Sequence, residues 1–223
     1  MTLSETLSAL AAMGTAQNRT VYPRHGVTSP MYGVSFGNLN TLKKAIKTDH
    51  ALAAALWATG NHDARVLATM IADPKAASAD VLEAWANDLS DYVVTDAFSK
   101  YVARTPLAAT LAERWKQDDH EWKGRLGWLL VAHAAMGKRE QPDDDFLADL
   151  ETIEREIHAR PNRTRDAMNS ALIAIGMRNE ALRAAAEATA ERIGRVTVDH
   201  GETNCKTPDA IPYIARGWAR KKR

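Results

Sequence analysis

Forty of the 223 residues are alanine, against 12 glycines, 8 prolines and 3 phenylalanines. Alanine has the highest helix propensity, and its small side chain lets helices approach closely, so the composition points to an all-α chain. A β-sandwich needs strand residues in period-two alternation, and no segment keeps that pattern for more than a few residues. Arg195-Val196-Thr197-Val198 is the single weak exception.

Pro106, Pro142, Pro161 and Pro208 each precede a stretch of helical periodicity, where a missing N–H costs nothing. Gly14, Gly60, Gly137, Gly176 and Gly194 each follow one, where a left-handed cap is expected. Reading between these marks predicts helices at about 2–13, 39–47, 49–59, 62–72, 78–88, 91–103, 106–116, 119–136, 143–158, 162–175, 178–193 and 207–216. The segments 15–37 and 195–206 read as irregular.

A faint repeat runs through these helices. Asn61–Ala68, Glu121–Trp128 and Pro161–Met168 each show a polar start, an arginine about one turn in, and then an apolar face. The arginines Arg65, Arg125 and Arg165 suit helical pairs of the HEAT or armadillo type, about 40–47 residues each, which stack into a curved slab with a concave face. A compact orthogonal bundle is the alternative architecture, and the stack is preferred. The expected organisation is one helical-repeat domain over 1–223, ending in a basic tail at about 216–223.

No apolar run approaches the roughly 20 residues that span a bilayer, and the N-terminus lacks a signal-peptide pattern. The one cysteine, Cys205, cannot close an internal disulfide, so a cytoplasmic protein with no membrane partner is expected. The net charge is only +1, but it is unevenly spread. Glu140–His158 holds eight acids and one arginine, Arg160–Arg195 seven arginines against four acids, and Arg216–Arg223 five basic residues and no acid. Either these are ordinary solvated faces, or the basic stretches form a nucleic-acid surface.

Several clusters carry candidate chemistry. Gly33-Val34-Ser35-Phe36-Gly37 matches the nucleophile-elbow pattern, but an elbow needs a preceding strand, and Asn38 reads better as the N-cap of the next helix. His62 with Asp63, and His120 with Asp118 and Asp119, lack the spacing of a metal-binding helix and read as helix-start residues. Asp199–Pro208 gathers Asp, His, Glu and Cys, yet a zinc site needs spaced Cys or His pairs, so a turn with Thr207 as N-cap and Pro208 at the first helical position is preferred. No metal and no cofactor are expected. Tyr92 and Asp96 lie four apart on one helix face. Asp96 sits among Val93, Val94, Ala97 and Phe98 and must be solvated or paired. Arg125, inside an apolar helix, is a candidate partner for it.

Tyr32-Gly33-Val34-Ser35 followed by Leu39, then Leu52–Trp57 with His62–Ala68, resembles the DNA alkylation repair family of the AlkD type. The similarity continues through Tyr92–Asp96 and Glu121–Arg125 and covers about residues 1–195. It implies HEAT-like helical pairs around duplex DNA, and a monofunctional glycosylase that hydrolyses the N-glycosidic bond of cationic N7- or N3-alkylated purines. By resemblance, Asp96 matches the catalytic aspartate, Tyr92 the aromatic position four before it, and Arg125 an arginine of the same cleft. A third aromatic position of the family falls at Ser170, a departure that removes one wall of that cleft. Arg65, Arg163 and Arg165 are the expected DNA-binding arginines, alkylated duplex DNA the expected partner, and a monomer the expected state. The alternative is a HEAT-like relative without catalysis that binds DNA or a protein.

Overall fold

In a computed structural model, residues 1–137 and 141–221 are described. Glu140, which belongs to the acidic run, and Lys222 and Arg223 of the basic end lie outside the described residues. Every element of the described chain is helical: α1 (Leu3–Met13), α2 (Ala16–Val21), a 3-10 turn (Tyr22–His25), α3 (Phe36–Ile46), α4 (His50–Ala58), α5 (His62–Ile71), α6 (Ala79–Asn87), α7 (Tyr92–Val102), α8 (Ala108–Lys116), α9 (Glu121–Met136), α10 (Asp143–Glu156), α11 (Asn162–Gly176), α12 (Glu180–Ile193) and α13 (Ala210–Lys221). None of these helices is long and apolar enough to cross a membrane. The only bridge among the described residues is the isolated pair Gly14–Val34.

All twelve expected helices are present, and three expectations are corrected. The segment 15–37 is not irregular: it holds α2, capped by the Thr15 hydroxyl, which accepts from the Asn18 N–H at 3.2 Å, and the 3-10 turn. The last helix starts at Ala210, later than Thr207 and Pro208 suggested, and runs to Lys221, so Arg216, Arg220 and Lys221 are helical rather than a tail. Ser35, not Asn38, is the N-cap of α3, its Oγ accepting from the Asn38 N–H at 3.2 Å. A cap engages the amide two or three residues on, and the motif's serine is thereby absorbed into helix initiation.

The chain forms two compact units. The first comprises Met1–Ala108 with Gly201–Thr203, and so contains α1 to α7. At its centre the rings of Trp57 and Trp85 stack at 4.3 Å, with Phe98 tilted against both at 5.4 and 5.9 Å. Asp63 is 1 % exposed and accepts from three successive backbone N–H groups, of Tyr32 (2.6 Å), Gly33 (3.0 Å) and Val34 (2.9 Å). Three N–H groups converge on one carboxylate only if the backbone reverses between them, and Gly33 supplies the turn at φ +80°. Asp63 stands in the first turn of α5, as expected, and serves there as a tertiary anchor; the cap of α5 is Asn61. His62 pairs with Asp91 (Nδ1 to Oδ2, 3.2 Å; both buried), and Asp91 caps α7 by accepting from the Val94 N–H at 2.9 Å. The start of α7 is thus tied to the start of α5.

The second unit runs from Ala109 to His200 and on from Asn204, and holds nearly all of α8 and all of α9 to α13. Its core joins Trp128, Phe146, Ile153, Met168 and Leu172. Helix α9 lies so close to the end of α8 that a Cβ at Gly127 would stand 2.1 Å from the Lys116 backbone nitrogen. No side chain fits there. Glu121, first residue of α9, accepts from the Arg163 N–H at 2.7 Å, and its carbonyl accepts from the Thr164 hydroxyl at 2.9 Å, which fixes α11 to α9.

Candidate functional site

Helix α7 divides cleanly. Val94, Thr95, Phe98, Ser99, Tyr101 and Val102 are buried, while Tyr92, Val93, Asp96 and Ala97 are half-buried and Lys100 is exposed. Residues 92 and 96 share one stripe because they are four apart. Asp96 is therefore half-buried at the edge of the core rather than enclosed in it. The Tyr92 hydroxyl meets His25 Nδ1 at 2.5 Å, and the two rings are tilted at 59° with centroids 6.1 Å apart. Tyr92 is held by the 3-10 turn that sequence periodicity did not show, and the phenol stands one helical turn before the carboxylate.

Arg125 lies in the second unit, 5 % exposed on α9. Its Nη1 donates to Asp166 Oδ2 at 2.7 Å and to the Arg163 carbonyl at 3.1 Å. Asp166 is a partner the sequence reading did not name. One turn further along α11, the Ser170 hydroxyl donates back to the Asp166 carbonyl at 3.0 Å. The position thus carries a small side chain bonded within its own helix, with no aromatic surface to offer.

The arginines expected to contact DNA have other work. Arg65 Nε donates to the Trp57 carbonyl, eight residues earlier, at 3.3 Å, and Nη1 to the Asp88 carbonyl at 3.0 Å. Arg165 repeats this at the same spacing. Its Nε donates to the Ile157 carbonyl, eight residues earlier, at 3.2 Å, and its two Nη atoms reach the carbonyls of Thr197, His158 and Arg160 at 2.8, 3.2 and 3.1 Å. Arg160 caps the end of α8 through the Lys116 and Asp118 carbonyls at 2.9 and 2.8 Å, and Arg178 the end of α9 through those of Ala134 and Ala135 at 3.2 and 3.1 Å. The last carbonyls of a helix lack intrahelical donors and carry partial negative charge, so a guanidinium satisfies both needs. Two arginines of the faint sequence repeat, Arg65 and Arg165, are such clamps, whereas Arg125 bonds to the start of α11 instead. Arg163 is half-buried, its Nη1 3.4 Å from His200 Nδ1.

Arg165→Ala is accordingly expected to lower stability by about 1–3 kcal/mol, since it strands several carbonyls, and to leave the salt dependence of DNA binding unchanged. Thermal melting and a salt titration check the two halves. The exposed cations that sequence reasoning passed over are Lys43, Lys44 and Lys47 at the end of α3. Three lysines within five residues were the available signal.

Among the described residues no group of three or more His, Cys, Asp or Glu side chains is placed to hold a metal. Cys205 is exposed. Metal analysis of the purified protein is expected to find no stoichiometric zinc; about one zinc per chain, lost on Cys205→Ser, would contradict this.

The family model described as DNA alkylation repair enzyme matches residues 5–214. An uncharacterized protein of Listeria innocua is 24% identical over 222 residues, 97% of each chain. Another, from Listeria monocytogenes, is 25% identical over 228 residues, the whole of both. A solved structure, described as a new family of proteins related to the HEAT-like repeat DNA glycosylases with affinity for branched DNA structures, matches with a TM-score of 0.88 at 28% identity. It covers 99% of this chain and 95% of that one. The architecture is therefore the HEAT-like helical repeat, as the spacing of the helical pairs suggested.

Proposed function

The chain belongs to the DNA alkylation repair enzyme family, and from that premise we propose that it binds DNA, with branched DNA as its preferred form. The observation that carries this reading is the full-length likeness to a structure whose family has affinity for branched DNA. Two features of the chain support it. Lys43, Lys44 and Lys47, with Arg220 on α13, are exposed cations suited to phosphate contacts. Ser170 stands where the family resemblance places an aromatic residue, and that departure favours binding over excision.

Association through some three to five phosphates gives a slope of about −3 to −4 in log affinity against log salt. Lys43, Lys44 and Lys47 changed together to alanine should make that slope shallower by about 2–3, and removal of Arg220–Arg223 by about 1–3. A mobility-shift titration with a four-way junction and a linear duplex of equal length tests the reading. The junction is expected to bind about tenfold tighter, or roughly 1.4 kcal/mol. A slope near zero, or equal affinity for both DNAs, counts against it.

A second reading is favoured by Asp96 and Tyr92 on the open stripe of α7. In this reading the protein hydrolyses the N-glycosidic bond of cationic N7- or N3-alkylated purines. Alkylation has already made the base a good leaving group, which departs neutral with the bonding electron pair, so no general acid is required. Positive charge then develops on the deoxyribose. A carboxylate can stabilise that charge, orient the water that attacks C1′, and take up its proton. The Tyr92 ring adds attraction for a cationic sugar. Release of N7-methylguanine from methylated duplex DNA is the direct assay.

A further inference from the structure

Helix α13 is packed on one side only. Ala210 and Ile214 are buried, and a Cβ at Gly176 would stand 2.6 Å from Ile214 Cδ1, so the helix lies hard against the end of α11. The Trp218 indole N–H donates to the Gly176 carbonyl at 2.8 Å, and Lys221 Nζ donates to the Met177 carbonyl. These contacts fix the helix in position and in rotation. Away from them, Tyr213, Arg216 and Arg220 are all exposed. Positions i, i+3 and i+7 fall on one face, so the three make a stripe about 10 Å long at a rise of about 1.5 Å per residue.

A single exposed aromatic side chain needs no explanation. What marks Tyr213 is its company. It is 48 % exposed even though Arg216 Cζ lies over its ring, 5.6 Å from the centroid. Among the described residues Arg216 contacts no carboxylate, and Arg220 meets neither an acceptor nor a ring. Asp209, just before the helix, bounds the stripe at one end, and no acid follows it in the sequence.

A cationic stripe headed by an open aromatic ring matches one class of ligand best. Duplex DNA offers phosphates but keeps its base faces stacked inside. An acidic peptide offers carboxylates with no obligatory flat face. A single strand offers both at once, phosphates for the guanidinium groups and unstacked base faces for the phenol ring.

We infer that the outer stripe of α13 is a single-strand contact; this rests on the DNA-binding reading and adds to it a means of telling a branch point with an unpaired arm from plain duplex. Tyr213 stacks on one base, and Arg216 and Arg220 hold the neighbouring phosphates. The stripe is rigid because the opposite face of the helix is pinned, so little ordering is left to the moment of binding.

Two branched DNAs test this: a three-way branch whose third arm is a single strand of about ten thymidines, and the same branch with that arm paired. The intact protein is expected to bind the first about 5–30-fold tighter. Tyr213→Ala should bring the ratio to about one and leave affinity for the paired branch unchanged, which also reads whether the variant keeps its fold. Tyr213→Leu, apolar but without a ring face, should behave as the alanine variant, and Tyr213→Phe should keep the ratio. Arg216→Ala should make the salt slope for the single-stranded branch shallower by about 0.7, the value for one phosphate of a single strand. Equal affinity of the intact protein for the two branches overturns the inference, points to duplex phosphates as what the stripe meets, and leaves the DNA-binding reading standing. A ratio that survives Tyr213→Ala, a ratio lost in Tyr213→Phe, or an unchanged slope in Arg216→Ala overturns it likewise. Binding to neither branch overturns both.

Discussion

Asp96→Asn is expected to slow release of N7-methylguanine from methylated duplex DNA by about 10²–10³ relative to the intact protein. A carboxylate about 4 Å from a developing unit positive charge, at an effective dielectric near 20, contributes roughly 4 kcal/mol. Part of that attraction is already present in the ground state, where the alkylated base is itself cationic, so only the remainder lowers the barrier. Asparagine keeps nearly the same shape, and it removes no cap, because the N-terminus of α7 is held by Asp91. Melting temperature, measured alongside, shows whether the variant keeps its fold. Affinity for branched DNA should be unchanged or slightly higher, since a negative charge is lost near phosphates. Full activity in the variant, or activity lost only with the fold, makes Asp96 structural. Base release by the intact protein no faster than in buffer leaves the binding reading alone.

Lys116→Met is expected to destabilise the protein by about 3–5 kcal/mol, the usual cost of breaking a buried ion pair from one side. Lys116 Nζ lies 2.7 Å from Asp149 Oδ1, with the two side chains 12 % and 3 % exposed, and 2.7 Å from Glu113 Oε1. Burial pushes the Asp149 carboxyl above its usual range, even with the ammonium in contact. Burial pulls the other way on Lys116, but its hydrogen bonds to Asp149 and Glu113 outweigh it, and the ammonium is held above its usual value. Both groups are thus raised, for opposite reasons: desolvation prevails at Asp149, and the hydrogen bonds prevail at Lys116. It follows that Lys116→Met with Asp149→Leu should recover most of the loss. The sign with pH is definite. The Lys116 contribution is fully present below its unfolded value, near 10.5, and is lost as pH rises through its higher folded value. Denaturant unfolding at pH 7 and above pH 10 reads both effects. A single variant as stable as the intact chain would show that Lys116 contributes little.

The amino-acid sequence by itself determined what is local. Alanine content, prolines before helices and polar caps one residue outside them decide helix existence from a few neighbouring residues, and all twelve expected helices are present. Asp96 and Tyr92 fell on one helix stripe by spacing alone. Where partners are distant the sequence was silent or misleading. Asp63 reads as a helix-start acid, but its carboxylate collects three amides some thirty residues away, and that became possible only when Gly33 turned the backbone. Arg65 and Arg165 were expected to meet DNA, and their bonds to helix-end carbonyls could not be foreseen, because a guanidinium aimed at phosphate and one aimed at such carbonyls look identical in a list of charges. Only tertiary structure decides which acceptor lies within reach.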